Sequence, residues 1–152
     1  AAGVDGLITV DLPPEEVGPL NIELQKVAID NIFLISPTTP APRISTITAN
    51  ASGFIYYVAV KGVTGAGNLD SSDVGMHLDL IRAETALPIC VGFGIKDAES
   101  ATAVGAMADG VVVGSALIDT MAGALEAGGS LNDGVEKAVA LLGSIRTGID
   151  NM

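Results

Sequence analysis

Cysteine occurs once in the 152 residues, at Cys90, which excludes an internal disulfide and leaves nothing that points to an oxidising compartment. Basic residues are also scarce. Seven stand against eighteen acidic ones, and the net charge of −11 disfavours phosphodiester backbones, so no nucleic-acid partner is expected. Charged residues amount to only 16% and apolar ones to 49%, which excludes a disordered, solvating segment. Long apolar runs are missing as well. None approaches the roughly 20 residues of a membrane span, because Leu7–Val10, Ile32–Ile35, Phe54–Val60 and Val111–Val113 are short and end at Gly, Pro or Asp. No two Cys or His residues share a ligand spacing, so no metal site is expected. The start, Ala1-Ala2-Gly3-Val4-Asp5, has no basic region and does not read as a signal peptide, so a cytoplasmic location is expected.

What the sequence does have is glycine, 19 residues in all, and a regular alternation of two patterns. Continuous apolar runs at Leu7–Asp11, Ile32–Ile35, Phe54–Val60, Ile89–Gly92 and Gly110–Gly114 read as parallel strands buried on both faces. Stretches of helical period separate them. Glu15–Ala28 aligns Val17, Leu20, Leu24 and Val27 on one face; Arg43–Ala51 carries Ile44 and Ile47; Asp73–Thr85 spaces Val74, Leu78 and Ile81. Asp97–Ala108 opens at a capping aspartate, and Ala116–Ala127 stops at Gly128-Gly129. A terminal helix near Asp133–Thr147 aligns Val135, Ala138, Leu142 and Ile145. These are five consecutive βα units in a single domain, residues 1–152, with no linker between them. A full (β/α)8 barrel uses about 250 residues, so five units need about 155. The length therefore fits a TIM-barrel type fold represented by strands 4–8. A doubly wound sheet would place its Gly-rich loop after the first strand, where Asp11-Leu12-Pro13-Pro14 stands instead.

Two glycine pairs close neighbouring strands: Val91-Gly92-Phe93-Gly94 and Val112-Val113-Gly114-Ser115, the second running straight into a helix. Barrels commonly bind phosphate at the loops after strands 7 and 8 and at an extra helix N-terminus, where glycine lets the anion reach backbone amides. Gly94, Gly114 and Ser115 are read as such a site, the bland alternative being tight turns that need positive φ. Gly62-Val63-Thr64-Gly65-Ala66-Gly67-Asn68 reads equally as a lid or as an ordinary connection. Asp11 ends a strand where catalytic groups tend to sit, but its expected role is to cap the helix beyond Pro13-Pro14. Of Tyr56 and Tyr57, which alternate, one points into the barrel and one towards helices. His77 is expected at the surface or as a satisfied core residue, and Cys90 as a small hydrophobe. Mid-helix placement of His77 argues against a catalytic triad. The first and last strands would be unpaired edges, and apolar edges favour self-association.

Six motifs occur in register: Asp11-Leu12-Pro13-Pro14-Glu15-Glu16, Ile32-Phe33-Leu34-Ile35-Ser36-Pro37-Thr38-Thr39-Pro40, Gly53-Phe54-Ile55-Tyr56-Tyr57-Val58, Gly62-Val63-Thr64-Gly65-Ala66, Val91-Gly92-Phe93-Gly94-Ile95, and Ala108-Asp109-Gly110-Val111-Val112-Val113-Gly114-Ser115-Ala116. Together they resemble the C-terminal part of the tryptophan synthase alpha chain family, from just before strand 4 to the last helix. The resemblance implies cleavage of indole-3-glycerol phosphate to indole and glyceraldehyde 3-phosphate, with indole passing to a pyridoxal-phosphate-dependent tryptophan synthase beta chain. It assigns this chain no cofactor of its own. It implies that Gly65, Gly94, Gly114 and Ser115 grip the phosphate and that Phe93 and Ile8 line the indole pocket. It places Tyr56 in the same pocket, and Thr64 on a loop closing over the substrate. The family's acid/base carboxylates, a glutamate on strand 2 and an aspartate just after it, match no residue here. The start without Met fits a truncated enzyme, inactive alone. Two alternatives remain: another phosphate-binding barrel, such as a ribulose-phosphate epimerase or a histidine-biosynthesis isomerase, and a non-catalytic anion-binding half-barrel.

Overall fold

A computed structural model describes residues 3–59, 71–92 and 94–152. Its elements alternate as β1 (Gly6–Thr9), α1 (Gly18–Lys26), β2 (Asp30–Ile35), α2 (Ala41–Asn50), β3 (Ile55–Val58), α3 (Ser71–Arg82), β4 (Ile89–Gly92), α4 (Ala98–Gly105), β5 (Gly110–Val112), α5 (Ser115–Glu126) and α6 (Leu131–Asp150). The strands form one parallel sheet in the order β1-β2-β3-β4-β5. Strand order that never reverses is singly wound. A doubly wound sheet reverses order at its ligand crevice and carries helices on both faces. This sheet instead has two unlike faces. Ile55, Tyr57, Ile89 and Val91 are fully buried and join Phe33 and Ile35 in the main core with helical residues Ile44, Leu78 and Ile81. The alternate positions point the other way. There Ile8 is 51% exposed, and Leu34, Tyr56, Val58, Cys90 and Val112 are half-buried. The apolar runs thus serve one packed face and one half-open face, not two buried ones.

Local chemistry sets the helix ends. Asp97 accepts from the Ser100 amide at 2.9 Å, and the Ser100 hydroxyl in turn accepts from the Asp97 amide, a capping box. Ser130 and Asp133 repeat the device at α6. At the end of α5, Gly128 and Gly129 donate back to Leu125 and Ala124, closing the helix and turning the chain into α6. The first helix departs from its expected start. Glu16 donates to the Pro13 carbonyl in a turn, and Glu15 forms a forked pair with Arg43 at 2.7 and 3.3 Å. Both groups are thereby taken from the helix, which begins at Gly18 with Pro19 in its first turn. It also ends early, at Lys26 and not at Ala28, which has φ 54°, and Val27 is exposed.

The Asp97 cap has a pH signature. Hydrogen bonds from the Ser100 amide and hydroxyl hold its carboxyl below the usual carboxylate range. A depressed folded-state pKa means stability that is present above the unfolded pKa and lost as pH falls through the folded one. Asp97→Ala should therefore lower the urea midpoint at neutral pH. The gap to the native chain should close as pH drops below about 4; a gap independent of pH would show that the carboxylate is not the stabilising group.

Candidate functional site at the carboxyl ends of the strands

All five strands point their carboxyl ends the same way, so the segments after them share one rim. Past β5, Gly114 occupies the N-cap position of α5 and its carbonyl accepts from Leu117 at 3.0 Å. No side chain caps this helix, in contrast to α4 and α6. The first amides of α5 therefore lack intrahelical acceptors at the positive end of the helix dipole. Gly114 and Ser115 are both exposed there. Gly114 has φ −127° and ψ −78°, outside the left-handed region, and a Cβ built on it meets nothing within 4 Å. Packing leaves this glycine unexplained, whereas an anion resting on the α5 amides would explain it.

Gly94 is different. It lies past the end of β4, the neighbour of β5, and has φ 76°, so the turn itself requires glycine. The bland reading holds at Gly94 and not at Gly114. Ser36, after β2, adds a cluster of hydroxyls in which its Oγ lies 2.9 Å from Thr38 Oγ1 and 3.3 Å from Thr39 Oγ1.

Tyr56 lies on the half-open face, paired with Cys90 across β3 and β4. Its ring crosses Gly92, where a Cβ would come within 2.6 Å of the phenol Cζ and overlap the hydroxyl oxygen. Gly92 therefore exists to let Tyr56 lie along the face towards the rim, a role that spacing alone did not reveal. Ile8, on the same face of β1, is half exposed. Thr64, Gly65 and Phe93, and the whole of the glycine-rich stretch from Gly62 to Asn68, lie outside the described residues.

Asp11 is exposed beyond β1 and caps nothing, because the N-cap position of α1 is Val17. The expectation of a cap fails because the turn at Pro13–Glu16 separates Asp11 from the helix. Tyr57 faces the helices, and its ring stacks on His77 at 6.0 Å with 25° between planes. Burial and the nearby Asp73 charge push its hydroxyl up to about 12, so it stays protonated. The His77 Nδ1 is 2.8 Å from the Asp73 carbonyl oxygen, which makes it a satisfied residue on the packed side, away from the half-open face. The Cys90 thiol is raised by burial and by the Asp109 charge, the wrong direction for a nucleophile. Among the described residues no cluster of His, Cys, Asp and Glu could hold a metal ion, and no helix is long and apolar enough to cross a membrane.

A family model described as tryptophan synthase alpha chain matches residues 1–145. The chain belongs to that family. The tryptophan synthase alpha chain of Psychrobacter cryohalolentis is 53% identical over 121 residues, covering 80% of this chain and 44% of its own length. That of Alkalilimnicola ehrlichii is 52% identical over 126 residues, covering 83% and 46%. The crystal structure of tryptophan synthase subunit alpha from Legionella pneumophila superposes with a TM-score of 0.82 at 40% identity, over 99% of this chain and 54% of the other. The chain thus spans about half the length of the curated relatives it matches. Membership in the tryptophan synthase alpha chain family decides against the other phosphate-binding barrels, and the singly wound sheet is five βα units of its (β/α)8 barrel.

Proposed function

We propose that this chain supplies the phosphate-gripping half of a lyase that cleaves indole-3-glycerol phosphate to indole and glyceraldehyde 3-phosphate, with a tryptophan synthase beta chain as the cytoplasmic consumer of indole. The observation that carries the reading is Gly114, a glycine that packing does not demand, at the uncapped start of α5. The α5 amides and the Ser115 hydroxyl hold the phosphate, joined by Gly94 and Gly65. Ile8, Tyr56 and Phe93 form the wall against the indole ring, and Thr64 closes over it. Retro-aldol cleavage also needs one group to protonate the indole carbon and another to take the glyceryl hydroxyl proton. Among the described residues the half-open face carries by alternation one carboxylate, Asp30, at the amino end of β2 and away from the rim. The residues of this chain therefore bind and orient the substrate, and the proton-transfer groups come from elsewhere.

Gly114→Val is a clean test because the added side chain has open space around it. Its far-UV spectrum should match that of the native chain, while saturable glycerol-phosphate binding, followed by calorimetric titration, should disappear. Equal binding by both proteins, or none by the native chain, would overturn the assignment. Gly114-dependent binding in a chain that never supports cleavage, even with its missing barrel strands supplied, would instead favour a non-catalytic anion-binding half-barrel.

A further inference from the structure

Asn31, near the amino end of the inner strand β2, is buried, and its hydrogen-bonding capacity exceeds what the protein around it supplies. Its Oδ1 accepts from the Thr9 hydroxyl, and its Nδ2 donates to Asn21 Oδ1 at 2.7 Å. An amide nitrogen carries two hydrogens, so one N–H is left without an acceptor among the described residues. Asn31 lines a cleft of about 90 Å³ between α1 and the end of α2, together with Asn21, Gln25, Asn50 and Ser52. Ser52 Oγ accepts from the Asn31 amide at 2.9 Å, and its own hydrogen likewise meets no acceptor among the described residues. Asn50 donates through Nδ2 to the Thr46 carbonyl at 2.9 Å, which leaves its Oδ1 as an open acceptor. Two donors and one acceptor thus line one cleft, on groups that belong to β2 and to the end of α2.

The lining selects the occupant. It holds no Lys, Arg, Asp or Glu, so an ion entering the cleft would lose its hydration without gaining a counter-charge. An alkyl group would leave the Asn31 N–H unpaired, and a buried donor without a partner is costly and rare. What fits is a small neutral molecule that accepts and donates at the same atom. Water does both, and the cleft is several times larger than the roughly 10–15 Å³ that one water needs. We propose that a fixed water accepts from Asn31 Nδ2 and Ser52 Oγ and donates to Asn50 Oδ1, so that the end of α2 is held to β2 through it. Three protein partners are the usual number for a structural water. The bridge adds to the link already made where Asn21 donates to the Asn50 carbonyl at 2.9 Å. It lies at the amino ends of the strands, away from the rim that carries Gly114, and does not rest on the proposed lyase reading.

A double-mutant cycle tests the bridge, because the side chains of Asn31 and Asn50 share no direct hydrogen bond. Without a water between them, the effects of Asn31→Leu and Asn50→Ala on the urea midpoint should add. With it, Asn50→Ala should lower the midpoint of the native chain clearly, and that of the Asn31→Leu chain by about half as much or less. Asn50→Ala keeps the backbone carbonyl that Asn21 uses, so that link survives in both backgrounds. Gln25→Ala is the control for general repacking of the cleft: Gln25 is an exposed lining residue outside the bridge, and its effect should be the same with and without Asn31. Additive shifts for Asn31 and Asn50 overturn the proposal, and so does equal non-additivity with Gln25. A crystal structure that resolves ordered solvent decides the matter even where Asn31→Leu fails to fold. Density for one water should stand within about 3.2 Å of Asn31 Nδ2 and of Ser52 Oγ or Asn50 Oδ1. Solvent that contacts Gln25 alone, or none at Asn31 Nδ2, refutes it.

Discussion

Indole should not form above background when the 152-residue chain alone is incubated with indole-3-glycerol phosphate. A general acid or base in place contributes typically 10²–10⁴ in rate, so the loss of both members of the pair costs about 10⁴–10⁸. Phosphate gripping cannot make up for this, because binding that is equal in ground state and transition state does not raise the rate of the chemical step. Adding a separately produced segment with barrel strands 1–3 of a related alpha chain should restore measurable cleavage, by delivering the carboxylates that the family resemblance places there. Turnover by the chain alone at an enzymatic rate would refute the division of labour. Asp11, the exposed carboxylate beyond β1, would then be the residue to replace by Asn.

The order of strands and helices is legible in the sequence because each βα unit alternates a β-branched run with an amphipathic stretch, and Gly or Pro punctuates the joints. The limits of elements are less so, since a strand begins where its partner does: Phe54 stays outside the strand Ile55–Val58, which starts opposite Phe33 of β2 and Ile89 of β4. Helical period shows that a face is apolar but not whether anything covers it. Ala138 and Ile145 are buried as their spacing predicts, while Val135 and Leu142, from the same pattern, are 44% and 48% exposed. In the site, the Gly-Ser step into α5 is readable from one short segment because the chemistry is local: backbone amides at a helix start. The purpose of Gly92 is not, because it depends on the register that lays Tyr56 across it from another strand. The polar centre at Asn31 escaped the sequence reading altogether. Its signal was an asparagine adjoining the apolar run Ile32–Ile35, a position that only a set of buried partners makes affordable.

Those partners make Asn31 the polar residue whose loss should cost most. It is 2% exposed; its side chain accepts from the Thr9 hydroxyl and donates to Asn21 Oδ1 at 2.7 Å, and Asn21 donates onward to the Asn50 carbonyl at 2.9 Å. Its backbone amide and carbonyl both pair with Ser52, at 2.9 Å each. One side chain thus ties the edge strand β1 and the helix α1 to β2. Asn31→Leu keeps the volume but strands the half-buried Thr9 hydroxyl and Asn21 amide oxygen, and each abandoned group costs up to about 1–3 kcal/mol. We expect a loss of about 2–5 kcal/mol in urea unfolding, a large share of the 5–15 kcal/mol of an ordinary domain. Thr9→Val on top of Asn31→Leu should then cost little more, since it removes a group already left without its partner. Asn31→Asp separates hydrogen bonding from charge. The introduced carboxylate can still accept from Thr9, but burial raises its pKa in the folded state. A raised folded pKa means that the folded protein binds the extra proton, so stability falls as pH rises through the usual carboxylate range and recovers in acid. A pH-independent deficit in Asn31→Asp, or an Asn31→Leu chain as stable as the native one, would show that the network holds nothing together.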